Sequence, residues 1–156
     1  MKKIIYILVF AFCFQILNAD FKEEALQKAK NYEAIVTRDI WGVPHIEGET
    51  DADVAFGIAY AHAEDDIENL IANMALYRAQ MGLKEGFDGA ITDYLIKTLE
   101  IRERVNSRYE VDLSLEVKKV IEAYADGLNY WAALNSKSDY IKDFPITKED
   151  LSLIHI

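Results

Sequence analysis

The segment 35–66 constrains the fold most, because the spacing of its apolar residues changes from strand-like to helical. Residues 32–38 alternate between two faces, and residues 43–47 form a second short run after the turn-like sequence Asp-Ile-Trp-Gly. A period of two predicts strands, so these runs predict a β-hairpin. After Thr50 the apolar residues recur every three or four positions, which predicts one face of a long helix. That face contains Phe56, Tyr60, Ala63, Ile67, Leu70, Met74, Tyr77 and Met81.

Single residues predict where these elements turn, begin and end. Gly42 is expected to hold a backbone conformation that other residues reach only with strain. Pro44 cannot donate to a strand ladder, so it belongs at an edge or at the first position of a strand. Thr50 followed by Asp53 resembles a capping box at the start of the long helix. Gly82 stands where the C-cap glycine of that helix is expected.

The second half of the chain predicts two further helices. Residues 82–89 predict a loop, and residues 90–105 predict a helix. Ser114 is a good N-cap for another helix that ends near Asn135, and a polar loop follows at residues 135–139. The first of these helices has Leu95, Leu99 and Arg102 on one stripe, and the face of the other carries Val117, Val120 or Ile121, Tyr124, Leu128 and Trp131.

The N-terminus has the pattern of a signal peptide. Lys2 and Lys3 precede an apolar run at residues 4–17, and Ala19 offers a small residue for cleavage. The run is shorter than the roughly 20 residues of a membrane span, although an uncleaved anchor stays open as an alternative. We therefore expect residues 1–19 to be removed and the protein to be periplasmic or secreted. Cys13 is the only cysteine, so the mature region has no disulfide or thiolate metal site.

The charge balance excludes one class of partner. The chain has 17 Lys and Arg against 27 Asp and Glu, for a net charge of −10, and loss of Lys2 and Lys3 makes it more acidic. Nucleic-acid affinity comes from neutralising phosphates with basic side chains, so no nucleic-acid partner is expected. Anionic membranes also attract basic segments, so we expect no stable membrane association after signal cleavage.

Two motifs carry a resemblance to a known family. The first is IVTRDIWGVPHI at residues 35–46, continued by FGIAYAHAEDD at 56–66, and the second is YADGLN at 124–129. Their order and separation resemble the N-terminal part of the α chain of the penicillin acylase (penicillin amidase) family of N-terminal-nucleophile hydrolases. The HAEDD ending is more similar to the acyl-homoserine-lactone acylase branch. The resemblance covers about residues 32–150, nearly all of the mature chain, so residues 20–150 are interpreted as a partial α-chain region.

The resemblance implies an α/β fold, an αββα sandwich in the intact enzyme. Within it this chain supplies a β-hairpin followed by mostly α-helices. It also implies a precursor that cuts itself into two chains, with the nucleophile as the first residue of the β chain, usually Ser. The free α-amine of that residue is its general base, and the β chain supplies the oxyanion donors. None of the serines of this chain stands in a processing context; they are Ser107, Ser114, Ser136, Ser138 and Ser152.

We therefore expect the chain to be the front part of an α chain that is inactive alone and partly folded, with exposed apolar helix faces. Its partners would be its own β chain and a small-molecule acyl amide of the penicillin or N-acyl-homoserine lactone type. No cofactor is expected in this part. The resemblance allows calcium in the intact enzyme, through a carboxylate further along, and assigns it no residue here. Residues 151–156, LSLIHI, are predicted to be a non-native tail, although Leu151 also fits the family. The alternative function is a non-enzymatic, secreted helical domain that binds a partner.

Several polar residues are candidate sites, and a structural role is favoured for each. His45 is interpreted as a hydrogen-bonded histidine at a strand end. His62 and Asp66 are four apart and share a helix face, but two ligands do not make a metal site. Arg38 is expected to pair with an acid such as Asp65, because a buried arginine needs a partner.

A structural role rather than a catalytic or binding role is also favoured for the remaining candidates. Asp51 and Asp53 are expected to serve the helix N-terminus rather than calcium. His155 falls in the predicted tail. Aromatic residues at helical spacing are interpreted as core rather than as an acyl pocket, and these are Trp41, Phe56, Tyr60, Tyr124 and Trp131. The sequence thus assigns no catalytic, cofactor-binding or metal-binding residue.

Overall fold

The computed structural model describes residues 20–152, so the predicted signal peptide and residues 153–156 of the predicted tail lie outside it. Among the described residues, no helix is both long enough and apolar enough to cross a membrane. The structure confirms a two-stranded hairpin followed by mostly helices. The elements are α1 (20–29), β1 (Ala34–Arg38), β2 (Pro44–Gly48), α2 (Asp51–Tyr77), α3 (Met81–Glu85), α4 (Phe87–Thr98), α5 (Ile101–Asp112), α6 (Leu115–Leu134), a 3₁₀ turn (Ile141–Asp143) and α7 (Lys148–Ser152).

The hairpin is antiparallel, with Val36 opposite Ile46. At its tip one carboxylate oxygen of Asp39 accepts from the backbone N–H groups of Trp41 (2.8 Å) and Val43 (2.9 Å). Gly42 has a φ of +82°, which confirms its predicted conformation, since only glycine reaches this region without strain. Pro44 begins β2, as predicted.

The start of α2 is also as predicted. The Thr50 hydroxyl accepts from the Asp53 backbone N–H at 3.2 Å, and the Asp53 carboxylate accepts from the Thr50 N–H at 3.0 Å. This is a capping box with Asp in the place of the usual Glu. The other Asp53 oxygen accepts from the Glu33 backbone N–H at 2.9 Å. The buried Asp53 side chain therefore joins the helix start to the residue that precedes β1.

The predicted single helix up to Met81 is wrong at two places. Asp66 leaves the helical conformation (φ −150°, ψ 44°), which kinks α2. The helix then ends at Tyr77, and Ala79 reverses the chain with a φ of +52°. Gly82 is consequently not a C-cap but lies within α3. The apolar spacing continues across the break, so it predicts a longer helix than the chain forms.

The predicted loop at 82–89 and the helix at 90–105 are wrong as well. The Asp93 carboxylate accepts from the backbone N–H groups of Met81 and Gly82, both at 2.8 Å, and so caps a short helix where a loop was expected. Glu100 has a φ of +51° and separates α4 from α5. Two members of the predicted stripe, Leu95 and Leu99, are exposed, and Arg102 forms an ion pair with Asp150.

The main core lies between α2 and α6. Its fully buried members include Ala59 and Ala63 of α2 and Leu128 and Ala132 of α6. Small residues let the two helices approach closely: a Cβ on Gly127 would meet the carbonyl oxygen of Phe56 and the Cβ of Ala59. As predicted, Ser114 caps α6 by accepting from Val117 at 3.3 Å, although Val117 itself is exposed.

Candidate functional site

The second motif joins α6 to three other parts of the fold. The Tyr124 hydroxyl lies 2.6 Å from Nδ1 of His62 on α2. The Asp126 carboxylate accepts a hydrogen bond of 2.8 Å from the hydroxyl of Tyr32, which lies just before β1. Burial raises the pKa of the Tyr124 hydroxyl and that of the Asp126 carboxyl. At Asp126 the hydrogen bond from Tyr32 opposes this rise. Tyr124 and Asp126 of the YADGLN motif thus each have a structural partner.

Asn129 completes this set by binding the segment that precedes α7. Its side-chain amide donates to the Ile146 carbonyl at 2.8 Å, and its carbonyl oxygen accepts from the Ile146 N–H at 2.9 Å. Asn129 is buried, so these two bonds satisfy backbone groups that have no helical or strand partner. The motif therefore holds the core together through contacts that extend in three directions.

The first motif ties the hairpin to α2 through Arg38. Its guanidinium contacts Asp65 at 2.9 Å and Glu64 at 3.0 Å and donates to the Gly42 carbonyl at 2.8 Å. The hydrogen bond to Asp65 raises the pKa of Arg38 most, and the hydrogen bond to Glu64 raises it further. The predicted pair with Asp65 is confirmed, but it lies at the surface rather than in the interior.

His45 and Asp39 form a second contact at the hairpin tip. Nε2 of His45 lies 3.6 Å from a carboxylate oxygen of Asp39. The backbone N–H groups of Val43 and Trp41, followed by His45, lower the pKa of Asp39. The carboxylate is therefore occupied in shaping the turn, which fits the structural role predicted for His45.

The predicted pairing of His62 with Asp66 is not formed. His62 contacts Tyr124 instead, and Asp66 accepts from the side-chain amide of Asn69 at 2.8 and 3.0 Å. The pairing fails because Asp66 leaves the helical conformation, so the i,i+4 geometry is lost. Within residues 20–152 there is no group of three or more His, Cys, Asp or Glu side chains arranged to hold a metal ion.

The aromatic residues are core, with one exception. Tyr32 stacks on Phe56 with ring centroids 4.7 Å apart, and Tyr60 lies 5.7 Å from Tyr130. The His62–Tyr124 pair borders an apolar pocket of about 310 Å³ between α2 and α6. Trp41 was predicted to be core, but it is 83% exposed at the hairpin tip.

The two motifs contact each other through His62–Tyr124 and through the close approach of Gly127 to α2. Both motifs lie inside the region that a protein-family model recognises. The model for penicillin amidase matches residues 33–151, which is most of the chain. The chain belongs to the penicillin amidase family. The match begins just before β1 and extends into α7, so it includes both motifs and every contact between them.

Curated relatives agree with this assignment. The chain is 33% identical over 100 residues to a penicillin acylase 2 proenzyme from a Pseudomonas species, which covers 63% of this chain and 12% of that protein. It is 30% identical over 94 residues to an acyl-homoserine lactone acylase, QuiP, from Pseudomonas putida, which covers 60% of this chain and 11% of that one. The chain thus spans about a tenth of the length of these relatives.

A solved penicillin G acylase from Alcaligenes faecalis has the same fold. The two structures align with a TM-score of 0.60 over 78% of this chain and 69% of that chain, at 18% sequence identity. Identity this low supports the fold alone.

The sequence of this penicillin amidase family member did not predict a cluster around Asp150. Asp150 is 1% exposed and accepts from Arg78 at 2.6 and 3.1 Å, from Arg102 at 2.6 Å and from the Thr147 N–H at 2.9 Å. Burial alone would raise its pKa, but the bonds from Arg78, Thr147 and Arg102 lower it to about 2. Arg78 and Asp150 are 72 positions apart, so no local pattern predicts the pair.

The serine contacts in the described region are structural. Ser107 donates to the Arg104 carbonyl at 3.0 Å, Ser114 caps α6, and Ser152 donates to the Lys148 carbonyl. Ser138 accepts from the Tyr140 N–H at 3.3 Å.

Proposed function

We propose that this chain is the N-terminal part of the α chain of an exported amidohydrolase that cleaves linear amide bonds. The observation that carries the proposal is the interlock of the two motifs, through His62–Tyr124 and the close approach of Gly127 to α2, inside the penicillin amidase match. The relatives named above are acylases, which supports acyl transfer as the reaction class.

The chemistry itself would come from the β chain of the same precursor. Its N-terminal Ser would attack the substrate carbonyl, with the free α-amine as general base, and form an acyl-enzyme. Backbone and side-chain donors of the β chain would stabilise the oxyanion. The described residues would contribute the scaffold, in which α6 holds α2, Tyr32 before the hairpin and the segment before α7 in fixed positions, and Arg38 holds the hairpin on α2.

The substrate would be a small acyl amide of the penicillin or N-acyl-homoserine lactone type. The names of the relatives support both types, and the HAEDD sequence at 62–66 favours the lactone branch. The signal-peptide pattern supports a periplasmic or secreted enzyme, with a mature N-terminus at Asp20. A non-enzymatic secreted binding domain is the second candidate, which the exposed apolar residues of α4 favour.

Expression of the complete precursor from the source gene tests the proposal. We expect two chains, with Asp20 at the N-terminus of the first and Ser at that of the second, and release of an amine from penicillin G or an acyl-homoserine lactone. Substituting Ala for the β-chain Ser should abolish both cleavage and hydrolysis. The 156-residue chain alone, assayed in parallel, should not hydrolyse either substrate.

A precursor that stays intact and hydrolyses neither substrate would favour the binding-domain alternative. Turnover by the 156-residue chain that disappears when His62 or Asp65 is replaced would contradict the assignment of the nucleophile to a β chain.

A further inference from the structure

Helix α2 bends at a residue that can serve the helix in two ways. Asp66 leaves the helical conformation between two helical halves, residues 51–65 and 67–77. Residues 58–70 contain no Pro, Gly or Ser, so the usual sequence causes of a sharp kink are missing. Aspartate is unfavourable inside a helix and favourable at its N-cap. Asp66 can therefore begin a second helix or stay within a single one.

In the observed form Asp66 begins the second half of α2. Its carboxylate oxygens accept from the side-chain amide of Asn69, three residues further on, at 2.8 and 3.0 Å. His62 lies four residues before Asp66, and its Nδ1 is 2.6 Å from the hydroxyl of Tyr124 on α6. The two side chains that a straight helix would bring together thus each have another partner.

A straight α2 would exchange these partners. Residues four apart share a helix face, with Cβ atoms about 5 to 6 Å apart, so Asp66 would come within reach of His62. The backbone N–H groups of residues 67–69 would also bond to the carbonyl groups of residues 63–65, whereas the first N–H groups of a new helix lack such partners. Straightening therefore loses side-chain contacts and gains backbone hydrogen bonds of similar strength, which makes the two forms similar in free energy.

The bend also shapes the pocket between α2 and α6. His62 lines this pocket from the half before the kink, and Leu70, Met74 and Tyr77 line it from the half after the kink. Because the two halves supply different walls, the angle between them sets the width of the pocket.

We propose that Asp66 is a hinge at which α2 alternates between two forms. In the observed kinked form His62 contacts Tyr124, and in a straight form His62 contacts Asp66 instead. This exchange of partners changes the width of the pocket, whose volume is about 310 Å³ in the kinked form. The hinge does not depend on the proposed amidohydrolase function, because only contacts between α2 and α6 are involved.

Amide hydrogen exchange of the complete enzyme, followed by mass spectrometry, tests the hinge. The N–H groups of residues 67–69 should exchange fast in the kinked form and slowly in the straight form, because only the straight helix gives them carbonyl partners. Tyr124→Phe and Asn69→Ala each remove one contact of the kinked form. Glu68→Ala, at an exposed position of the same helical half, is the matched control for the change in helix propensity.

Each of the two single variants should shift the ratio of kinked to straight form about tenfold toward the straight form, which is the effect of one hydrogen bond. Exchange at residues 67–69 should therefore slow in each single variant, and about tenfold in the double variant Tyr124→Phe/Asn69→Ala. Glu68→Ala should change it less than about twofold. Exchange at residues 57–60, before the kink, should stay the same in every variant, which shows that the fold is intact.

His62 tests the exchange of partners itself. Adding His62→Leu to the double variant removes the contact with Asp66 and should restore fast exchange at residues 67–69. Exchange that is unchanged in the double variant would overturn the proposal, because the bend would then be fixed. Faster exchange would also overturn it, since the helix would then unfold rather than straighten. Slow exchange that persists after His62→Leu would show that His62 is not the partner of Asp66 and would overturn the proposal as well.

Discussion

Replacing Asp150 by Asn is expected to destabilise the fold strongly. The carboxylate is buried and contacts the guanidinium groups of Arg78 and Arg102, with 2.6 Å as the shortest distance to each. Asn keeps the size of the side chain but removes its charge, which leaves Arg78 with a poorly compensated charge in a largely buried position. Breaking a buried pair in this way costs about 3 to 5 kcal/mol of unfolding free energy.

The pKa of Asp150 gives an independent estimate of the same interaction. Its pKa falls from the ordinary 3.8 to about 2, and a difference of this size corresponds to about 2 kcal/mol between the charged and neutral carboxyl. Because the folded-state pKa is the lower one, this stability is present above pH 3.8 and is lost as the pH falls through about 2. Asp150→Asn should lack this part of the pH dependence.

Urea unfolding followed by far-UV circular dichroism measures both effects, at neutral pH and across the acidic window. The matched control is Asp112→Asn, which removes a carboxylate from the Arg108–Asp112 pair at the surface and should cost less than about 1 kcal/mol. If the two variants lose the same stability, or if Asp150→Asn keeps the acid-dependent loss of the unmodified chain, the reasoning about the buried cluster is wrong.

Three further changes test single contacts by the same unfolding measurement. Gly42→Val should lower the free energy of unfolding by about 1 kcal/mol or more, and the cause is backbone strain at φ +82° alone, since no atom lies within 4 Å of an added Cβ. Gly42→Asn should lower it less, because asparagine tolerates this conformation better than valine. Equal losses would contradict the strain argument. Gly127→Ala should cost about 1 to 3 kcal/mol, because its Cβ would press on Phe56 and Ala59; a neutral effect would mean that α2 and α6 separate easily. Tyr124→Phe should cost about 1 kcal/mol by removing the bond to His62, and an unchanged midpoint would show that water replaces this bond.

The parts of the fold that sequence reasoning predicted depend on local signals. The Thr50–Asp53 capping box, the Ser114 cap and the turn at Gly42 each involve residues close in the chain, so their patterns are visible in the sequence. The breaks at Ala79 and Glu100 were missed because both residues adopt positive φ values that neither alanine nor glutamate signals.

Long-range contacts explain the other differences. Asp93 caps α3 from more than a helix turn away in sequence, and Asp150 gathers two arginines from distant helices. At the candidate site, the need of an arginine for an acidic partner predicted Arg38 with Asp65. The i,i+4 spacing that linked His62 with Asp66 failed, because Asp66 leaves the helical conformation.

The carboxylate of Asp53 has a consequence for how this hairpin can vary. It binds Glu33 on one side and Thr50 on the other, so both ends of the hairpin are clamped together at its base. A loop whose ends are fixed tolerates added length at small entropic cost. Insertions or deletions at the exposed tip around Ile40 and Trp41 should therefore leave the position of α2 unchanged, and this tip should accept a grafted peptide.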